Sequence, residues 1–323
     1  MTRFLSFLLC LMIVFPFSAV AEEKPLSILA SNFPAFDFAR SLTGNTADVD
    51  LLLPPGSESH SYEPTPQDII AIQNCDLFIY TGGESDSWIE SILASMGADA
   101  PETFRMSDSV TLLASETTAS MEHSHHHEHN EEWECSDPDH VHEEGHHHEM
   151  DEHVWTSPKN AMLIASSLKD TLCRLNPALA SVYNTHHEAY QTELTELDAA
   201  FESIVANSQR DLIIFGDRFP LRYFAAAYGL QYDAAFPGCS EDSEPSVRTV
   251  ISLVDTVREQ QIPVVFYIEF SSRRTADILA EETGAKPLLF HSCHNVSAEE
   301  IEAGATYLNL MWQNTEALKE ALN

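Results

Sequence analysis

The chain has 323 residues, of which 51 are Asp or Glu and only 16 are Lys or Arg, so its formal net charge at pH 7 is −35. This balance argues against nucleic-acid binding and against docking on anionic lipid through charge, because both need basic patches. It favours a cation as the partner, although acidity also serves plain solubility.

Residues 1–21 have the features of a secretory signal peptide. One basic residue, Arg3, precedes an apolar run that is short for a membrane span, and a small-x-small end follows at Ala19–Ala21. We expect cleavage after about Ala21 and a periplasmic mature chain with no direct membrane insertion. A retained anchor and lipid modification of Cys10 are the alternatives.

Residues 22–175 are predicted to form an N-terminal α/β lobe. Short apolar runs alternate with amphipathic stretches, which is the rhythm of a parallel sheet with helices on its faces. The strands are predicted at LSILAS, ADVDLLL and DLFIYTGG, and the helices at FDFARSL, PQDIIAIQ and WIESILASM.

Residues 209–323 repeat this rhythm and are predicted to form a C-terminal α/β lobe. Its strands are predicted at DLIIF, LQYDAAF, PVVFYIEF and KPLLFH, and its helices at RYFAAAY, VRTVISLVDTVREQ, TADILAEETG and from about Ala298 to the end. Helical periodicity begins at Pro158, and residues 176–208 are predicted as a linking helix that Pro177 starts. The predicted fold is therefore α/β, with two similar lobes of parallel sheet joined by a long rigid helix.

A segment at about 115–152 interrupts the first lobe and differs in composition from the rest of the chain. It has almost no aliphatic residues, so we expect a disordered loop. Interleaved acids and imidazoles gather zinc, copper or nickel in weak sites, whereas the alternative is a solubilising spacer. The histidines of these weak sites are His123, His125, His126, His127, His129, His140, His142, His146, His147 and His148.

Four histidines outside this loop lie near the ends of predicted strands or just before helices. They are His60, His153, His291 and His294. In an α/β lobe the carboxyl ends of the strands form the rim where ligands bind. Taken singly, each is as consistent with an ordinary loop histidine as with a ligand. His186 and His187 lie side by side on the linking helix and are interpreted as surface residues.

The order of several motifs resembles a known family. GSESHSYEPTPQDI, DLFIYTGG, DEHVWTSPKNA, YFAAAYGL and VVFYIEFSSRRTADILAEETGAKPLLF follow one another as in the substrate-binding proteins of bacterial zinc and manganese ABC importers. The acidic, His-rich loop before the second histidine motif is typical of the zinc branch. The resemblance implies one metal in the cleft between the lobes, delivery to a membrane permease, and His60 and His153 as ligands.

The second lobe departs from the family's usual ligands. Where a third histidine usually follows the first strand of that lobe, this chain has Gly216 and then Asp217. Where an aspartate usually ends the strand before the terminal helix, it has His291. We therefore predict a His60, His153 and His291 site, with Asp217, Glu269 or His294 as candidates for the fourth ligand, or water. Predominant nitrogen suits zinc better than manganese, but ligand type alone does not separate zinc from copper or nickel.

The mature chain would keep five cysteines: Cys75, Cys135, Cys173, Cys239 and Cys293. No CxxC spacing occurs, which argues against a thiolate zinc knuckle. Cys239 and Cys293 both follow strands of the second lobe. In an exported protein we expect them to form a disulfide, with zinc ligation as the alternative.

These features predict a monomeric zinc-binding protein that is not an enzyme and that delivers Zn²⁺ to an ABC-type importer. Release should be favoured by acid, because imidazoles bind metals in their neutral form. A passive metal buffer or adhesin without a transporter would keep the His-rich loop but would not require the cleft motifs. A zinc hydrolase with Glu269 as general base is a further alternative, although HExxH and GxSxG are both absent from the sequence.

Overall fold

The computed structural model describes residues 24–57, 62–118, 120–121, 150–238 and 244–323. Two four-stranded parallel sheets organise this part of the chain. The first contains β1 (Leu26–Ala30), β2 (Ala47–Leu51), β3 (Leu77–Tyr80) and β4 (Glu102–Arg105) in the order β2-β1-β3-β4. The second contains β5 (Leu212–Phe219), β6 (Gln231–Pro237), β7 (Val264–Tyr267) and β8 (Lys286–Leu289) in the order β6-β5-β7-β8. The same order in both sheets confirms two similar α/β lobes.

Helices connect the strands. They are α1 (Phe33–Thr43), α2 (Pro66–Asn74), α3 (Ser87–Met96), α4 (Pro158–Leu175), α5 (Ala180–Ala206), α6 (Arg222–Tyr228), α7 (Val247–Glu259), α8 (Arg274–Thr283), α9 (Ala298–Glu302) and α10 (Tyr307–Leu322). Their starts follow from local chemistry. Thr65 and Asp68 form a capping box before α2, and Pro66 occupies the first turn, where a missing N–H costs nothing.

Two predicted elements need correction. The apolar pattern did not predict β4, because its segment Glu102–Arg105 is short and polar and, among the described residues, pairs with β3 alone at the sheet edge. The single terminal helix is two helices, α9 and α10. Gly304 adopts a positive φ of 79° between them, and Thr306 caps the second by accepting a hydrogen bond from the Asn309 N–H.

Helix α5 is the predicted connection between the lobes. Its 27 residues make it about 40 Å long. It packs against α1 of the first lobe and α10 of the second. The residues that it buries are Tyr183, Tyr190, Leu194, Leu197 and Phe201.

The lobes share one apolar core around this helix. A continuous cluster joins Phe38 and Ile79 of the first lobe, Leu194 of α5, and Phe215 and Phe290 of the second lobe. A large hydrophobic contact between lobes restricts their relative motion. The expected rigid connection therefore rests on shared packing as well as on the helix itself.

The two ends of the His-rich segment are packed, so the predicted disorder over 115–152 is too wide at both ends. Ala114 and Met150 form an antiparallel bridge. Ser120 and Met121 are each 1% exposed, and Asp151 is 5% exposed.

The ten loop histidines and Cys135 lie outside the described residues, as do the predicted signal peptide and His60. Within the described ranges, no helix is long and apolar enough to cross a bilayer.

Candidate metal centre

His153 lies just before a short 3₁₀ turn, Val154–Thr156, that leads into α4, and its side chain is completely buried. Asp151 orients it, because one oxygen, Oδ1, is 2.9 Å from the His153 backbone nitrogen and 3.1 Å from Nδ1. With Nδ1 donating to this carboxylate, Nε2 is the ring nitrogen through which His153 could coordinate a metal. Burial lowers the pKa of His153, but the carboxylates of Asp151, Glu152 and Glu269 outweigh it and raise the net pKa above 6.5.

His294 is brought to His153 by the loop that follows β8. The two ring centroids are 5.5 Å apart and the rings are nearly perpendicular, while the His294 ring lies 4.8 Å from that of Trp155. The loop is fixed to the first lobe, since the Trp155 indole donates to Ser292 O at 2.9 Å and the Phe33 N–H donates to His294 O at 3.3 Å. One imidazole from each lobe therefore meets in the cleft.

His291 occupies a different environment and is only 2% exposed. Its Nδ1 accepts from the Cys293 N–H at 2.9 Å, and its Nε2 lies 3.7 Å from a Glu300 oxygen. Its backbone exchanges two hydrogen bonds with the Asn314 side chain, each 2.8 Å. Burial lowers the pKa of His291, but the negative charges of Glu269 and Glu300 raise it by more, so the net shift is upward. The structure thus places this ring beside α9, whereas the ring beside His153 belongs to His294.

Glu269, at the end of β7, holds the 292–294 turn. Its carboxylate accepts from the Ser292 N–H at 2.8 Å, the Ser292 hydroxyl at 2.5 Å and the His294 N–H at 3.2 Å. Glu269 also lines a cavity of about 370 Å³ together with His153 and His294. The carboxylate therefore both sets the position of His294 and adds negative charge to the site.

The end of β5 explains why no ligand comes from Gly216. A Cβ at that position would lie 2.5 Å from the Ala276 Cα of α8, so the close helix packing excludes any side chain. Asp217 turns away to the backbone, accepting from the Arg218 N–H at 2.8 Å and the Ile268 N–H at 3.2 Å. Desolvation raises the pKa of its carboxyl. Asp217 is thus engaged in joining the ends of β5 and β7.

Arg218 is the β5 residue that lines the cavity with His153 and His294, and the sequence analysis missed it. The register of β5 against β6 shifts between Phe215 and Arg218. Such a bulge redirects the side chains beyond it, which strand periodicity alone does not reveal. The sequence analysis also missed Asp151 and Ser292, whose role is to orient the two imidazoles.

Some of the predicted site residues lie outside the described ranges. Cys293 is a buried free thiol, whereas Cys239 lies outside the described residues, so their disulfide stays a prediction. Within the described parts of the chain, no three His, Cys, Asp or Glu side chains form a group that could hold a metal ion. His153 and His294 are therefore a pair to which His60 would have to be added.

Comparisons with known proteins agree with this architecture. Residues 28–321 match the family described as "ZnuA: Zinc-uptake complex component A periplasmic". The high-affinity zinc uptake system protein ZnuA of Bacillus subtilis is 30% identical over 305 residues, covering 94% of this chain and 90% of that protein. The zinc-binding lipoprotein AdcA of Streptococcus pneumoniae is 28% identical over 299 residues, covering 92% of this chain. The match spans only 56% of the length of AdcA.

Solved structures show the same fold. The Zn(II)-bound ZnuA-like domain of S. pneumoniae AdcA superposes with a TM-score of 0.73 at 25% identity, covering 93% of this chain and 99% of that domain. The metal-dependent lipoprotein YcdH of B. subtilis superposes with a TM-score of 0.74 at 28% identity, covering 92% of this chain and 99% of YcdH.

Proposed function

The chain belongs to the zinc-uptake complex component A family, and we propose that it captures Zn²⁺ outside the cytoplasm and delivers it to the membrane permease of an ABC importer. The observation that carries the proposal is the pair of imidazoles from opposite lobes, His153 and His294, whose ring centroids lie 5.5 Å apart in the cleft. The relatives named above are described as zinc-binding or zinc-uptake proteins.

The proposed ligands are His60, His153 and His294, with water completing the four positions that zinc prefers. His60 and His153 belong to the three imidazoles predicted from sequence, and His294, which was predicted as a candidate for the fourth ligand, takes the place of His291 as the imidazole of the second lobe. Its proximity to His153 supports this choice, whereas the His291 nitrogens face Cys293 N and Glu300. Glu269 acts as a positioning residue through Ser292 and His294.

We further propose that the mature chain acts as a periplasmic monomer after cleavage near Ala21, and that the His-rich loop gathers ions for the cleft. The family is one of substrate-binding transport proteins, and we propose binding without catalysis for this chain. A passive buffer or adhesin would bind zinc without stimulating uptake by the permease. A zinc hydrolase would need Glu269 as general base, but that carboxylate is engaged by Ser292 and His294.

Competitive zinc titration of the mature chain tests the ligand set. His153→Ala and His294→Ala should each weaken the tightest site more than the roughly 10- to 100-fold cost of losing an outer partner. His291→Gln should change the affinity much less, and His187→Gln on α5 serves as a control for removing an imidazole. Tight binding that survives His294→Ala but is lost in His291→Gln would return the ligand to His291.

A further inference from the structure

A second cavity lies beside the metal centre, on the first-lobe side of His294. It is a partly open cavity of about 420 Å³ at the carboxyl ends of β1 and β3, the edge where parallel sheets bind ligands. His294 lines this cavity as well as the one that contains His153. We call it the antechamber and define it by its polar residues Ser31, Asn32, Thr81, Ser85, Asp86 and Glu152.

Two carboxylates give the antechamber its charge. Asp86 Oδ2 accepts hydrogen bonds from the Thr81 and Gly82 N–H groups, each 2.9 Å. Glu152 is 5% exposed and accepts from the Ser85 N–H at 3.0 Å and from the Ser85 hydroxyl. Desolvation raises the pKa of Asp86 to about 6, and the neighbouring Glu152 charge adds to the rise. The buried Asp86 carboxylate therefore carries its charge at a cost that a cation in the cavity would offset.

Ser31 is an independent sign of a ligand. The residue is only 8% exposed, and its hydroxyl oxygen is buried without a hydrogen-bond partner among the described residues. Beside it, the Asn32 side chain donates to the Thr81 hydroxyl at 2.8 Å. Buried hydroxyls are normally hydrogen-bonded, so the Ser31 hydroxyl marks a place for a polar occupant of the cavity.

We propose that the antechamber binds a divalent cation together with its water shell, as a waiting position from which the ion passes His294 into the metal centre. This inference rests on the proposed zinc-binding function. Within the described ranges, no three acidic, His or Cys side chains could hold a bare ion. The cavity is partly open to solvent, so the outer waters of the shell can remain in contact with bulk water. Ser31 would bond to a shell water while the carboxylates attract the charge.

The direct test uses hexaamminecobalt(III), whose six fixed ammine ligands mimic a hydrated cation and prevent coordination by imidazoles. The indole N–H signals of the full, zinc-loaded mature chain report its position by NMR. Trp88 and Trp155 line the antechamber, whereas Trp312 is 41% exposed on α10. The proposal predicts shifts of the Trp88 and Trp155 signals at physiological ionic strength, with the Trp312 signal unchanged.

Two matched variants complete the test. Asp86→Asn should abolish these shifts and reduce the zinc association rate constant roughly 10-fold, as expected when a steering charge is lost. Glu90→Gln, the same charge change on the same helix outside the cavity, should preserve both. Absence of the shifts in the wild-type chain, or equal effects of the two variants, would overturn the antechamber. Failure of the proposed zinc-binding function would be distinguishable from failure of the antechamber proposal, because the wild-type protein would then show no tight zinc site.

Discussion

Asp151 is the residue on which the orientation of His153 depends. Its carboxylate receives both the His153 backbone N–H and Nδ1. Asp151→Asn removes the charge that favours an Nδ1 proton, so zinc affinity should fall roughly 10- to 100-fold, the usual cost of an outer partner. Competitive titration measures the effect, with Asp170→Asn on the exposed side of α4 as the control. Unchanged affinity in Asp151→Asn would mean that packing alone fixes the imidazole.

Asp37 is a buried carboxylate far from the metal ligands in sequence. It is 1% exposed and accepts from the Tyr307 N–H at the start of α10 at 2.9 Å. Burial raises its pKa from 3.8 to about 6, although the Tyr307 N–H and the Arg40 charge oppose the rise. The folded state therefore binds the proton more tightly than the unfolded state does. The resulting penalty is absent well below pH 4 and complete above about pH 6.

Asp37→Asn should consequently raise the free energy of unfolding at pH 7 by up to about 3 kcal/mol. The gain should shrink below about pH 6 and approach zero near about pH 3, where both states of the wild-type carboxyl are mostly neutral. Urea unfolding of the metal-free protein at the two pH values measures this, with the exposed Asp48→Asn as control. A destabilised variant at pH 7 would show that the charged hydrogen bond to Tyr307 outweighs the burial of the charge.

The residues of the site differ in how readable they were from sequence. His153 lies in a specific motif just before a predicted helix, and this motif identified it as a candidate ligand. The sequence pattern favoured His291 over His294 without showing how the turn between them runs, where Cys293 adopts a positive φ of 61°. A left-handed residue reverses the chain direction locally, and neither strand nor helix periodicity predicts which side chain then faces the cleft.

At the scale of elements, the apolar periodicity predicted the buried strands and their connecting helices. It failed where tertiary context decides, as for the polar edge strand β4 and for the break between α9 and α10 at Gly304. It also did not predict the segment that precedes the His-rich loop and crosses to the second lobe. That segment, residues 116–121 with 119 not described, we call the strap.

The strap is held mainly by one carboxylate. Asp233 on β6 accepts from the hydroxyls of Thr118 and Ser120, the latter at 2.6 Å. The Thr249 hydroxyl of α7 donates to Ser120 O at 3.1 Å, and Arg222 pairs with Glu116 at 2.9 Å. The strap thus attaches the first-lobe insertion to the face of the second lobe.

Asp233→Ala should release the strap, because two hydroxyls lose a charged acceptor. Hydrogen bonds to charged groups contribute about 1.5–3 kcal/mol each. The free energy of unfolding should therefore fall by a similar amount for each bond that is lost. Hydrogen exchange of residues 110–121 should accelerate in this variant and not in Asp255→Ala, an exposed change on α7. If hydrogen exchange of these residues were equally fast in both variants, the strap would be held by the packing of Met121 and not by Asp233.

At the scale of the molecule, the two lobes act as one body with the metal centre between them. The shared core and α5 join the lobes, and the 291–297 loop is bonded to the first lobe through Trp155, Phe33 and Gly56. Because these contacts do not involve residues 122–149, the cleft should keep its shape without the His-rich loop. The loop and the cleft should therefore contribute separately to zinc binding.

Deletion of residues 122–149 tests this separation. Ala114 pairs with Met150, so Met121 lies at most about 30 Å from Met150, a gap that a Gly-Ser linker of about ten residues spans. The number of zinc ions bound should fall, because ten imidazoles are removed, while the tightest site and the unfolding temperature should stay unchanged. Isothermal titration measures both affinities. If the tight site disappears with the loop, the ligands lie in the loop and the assignment to His153 and His294 is wrong.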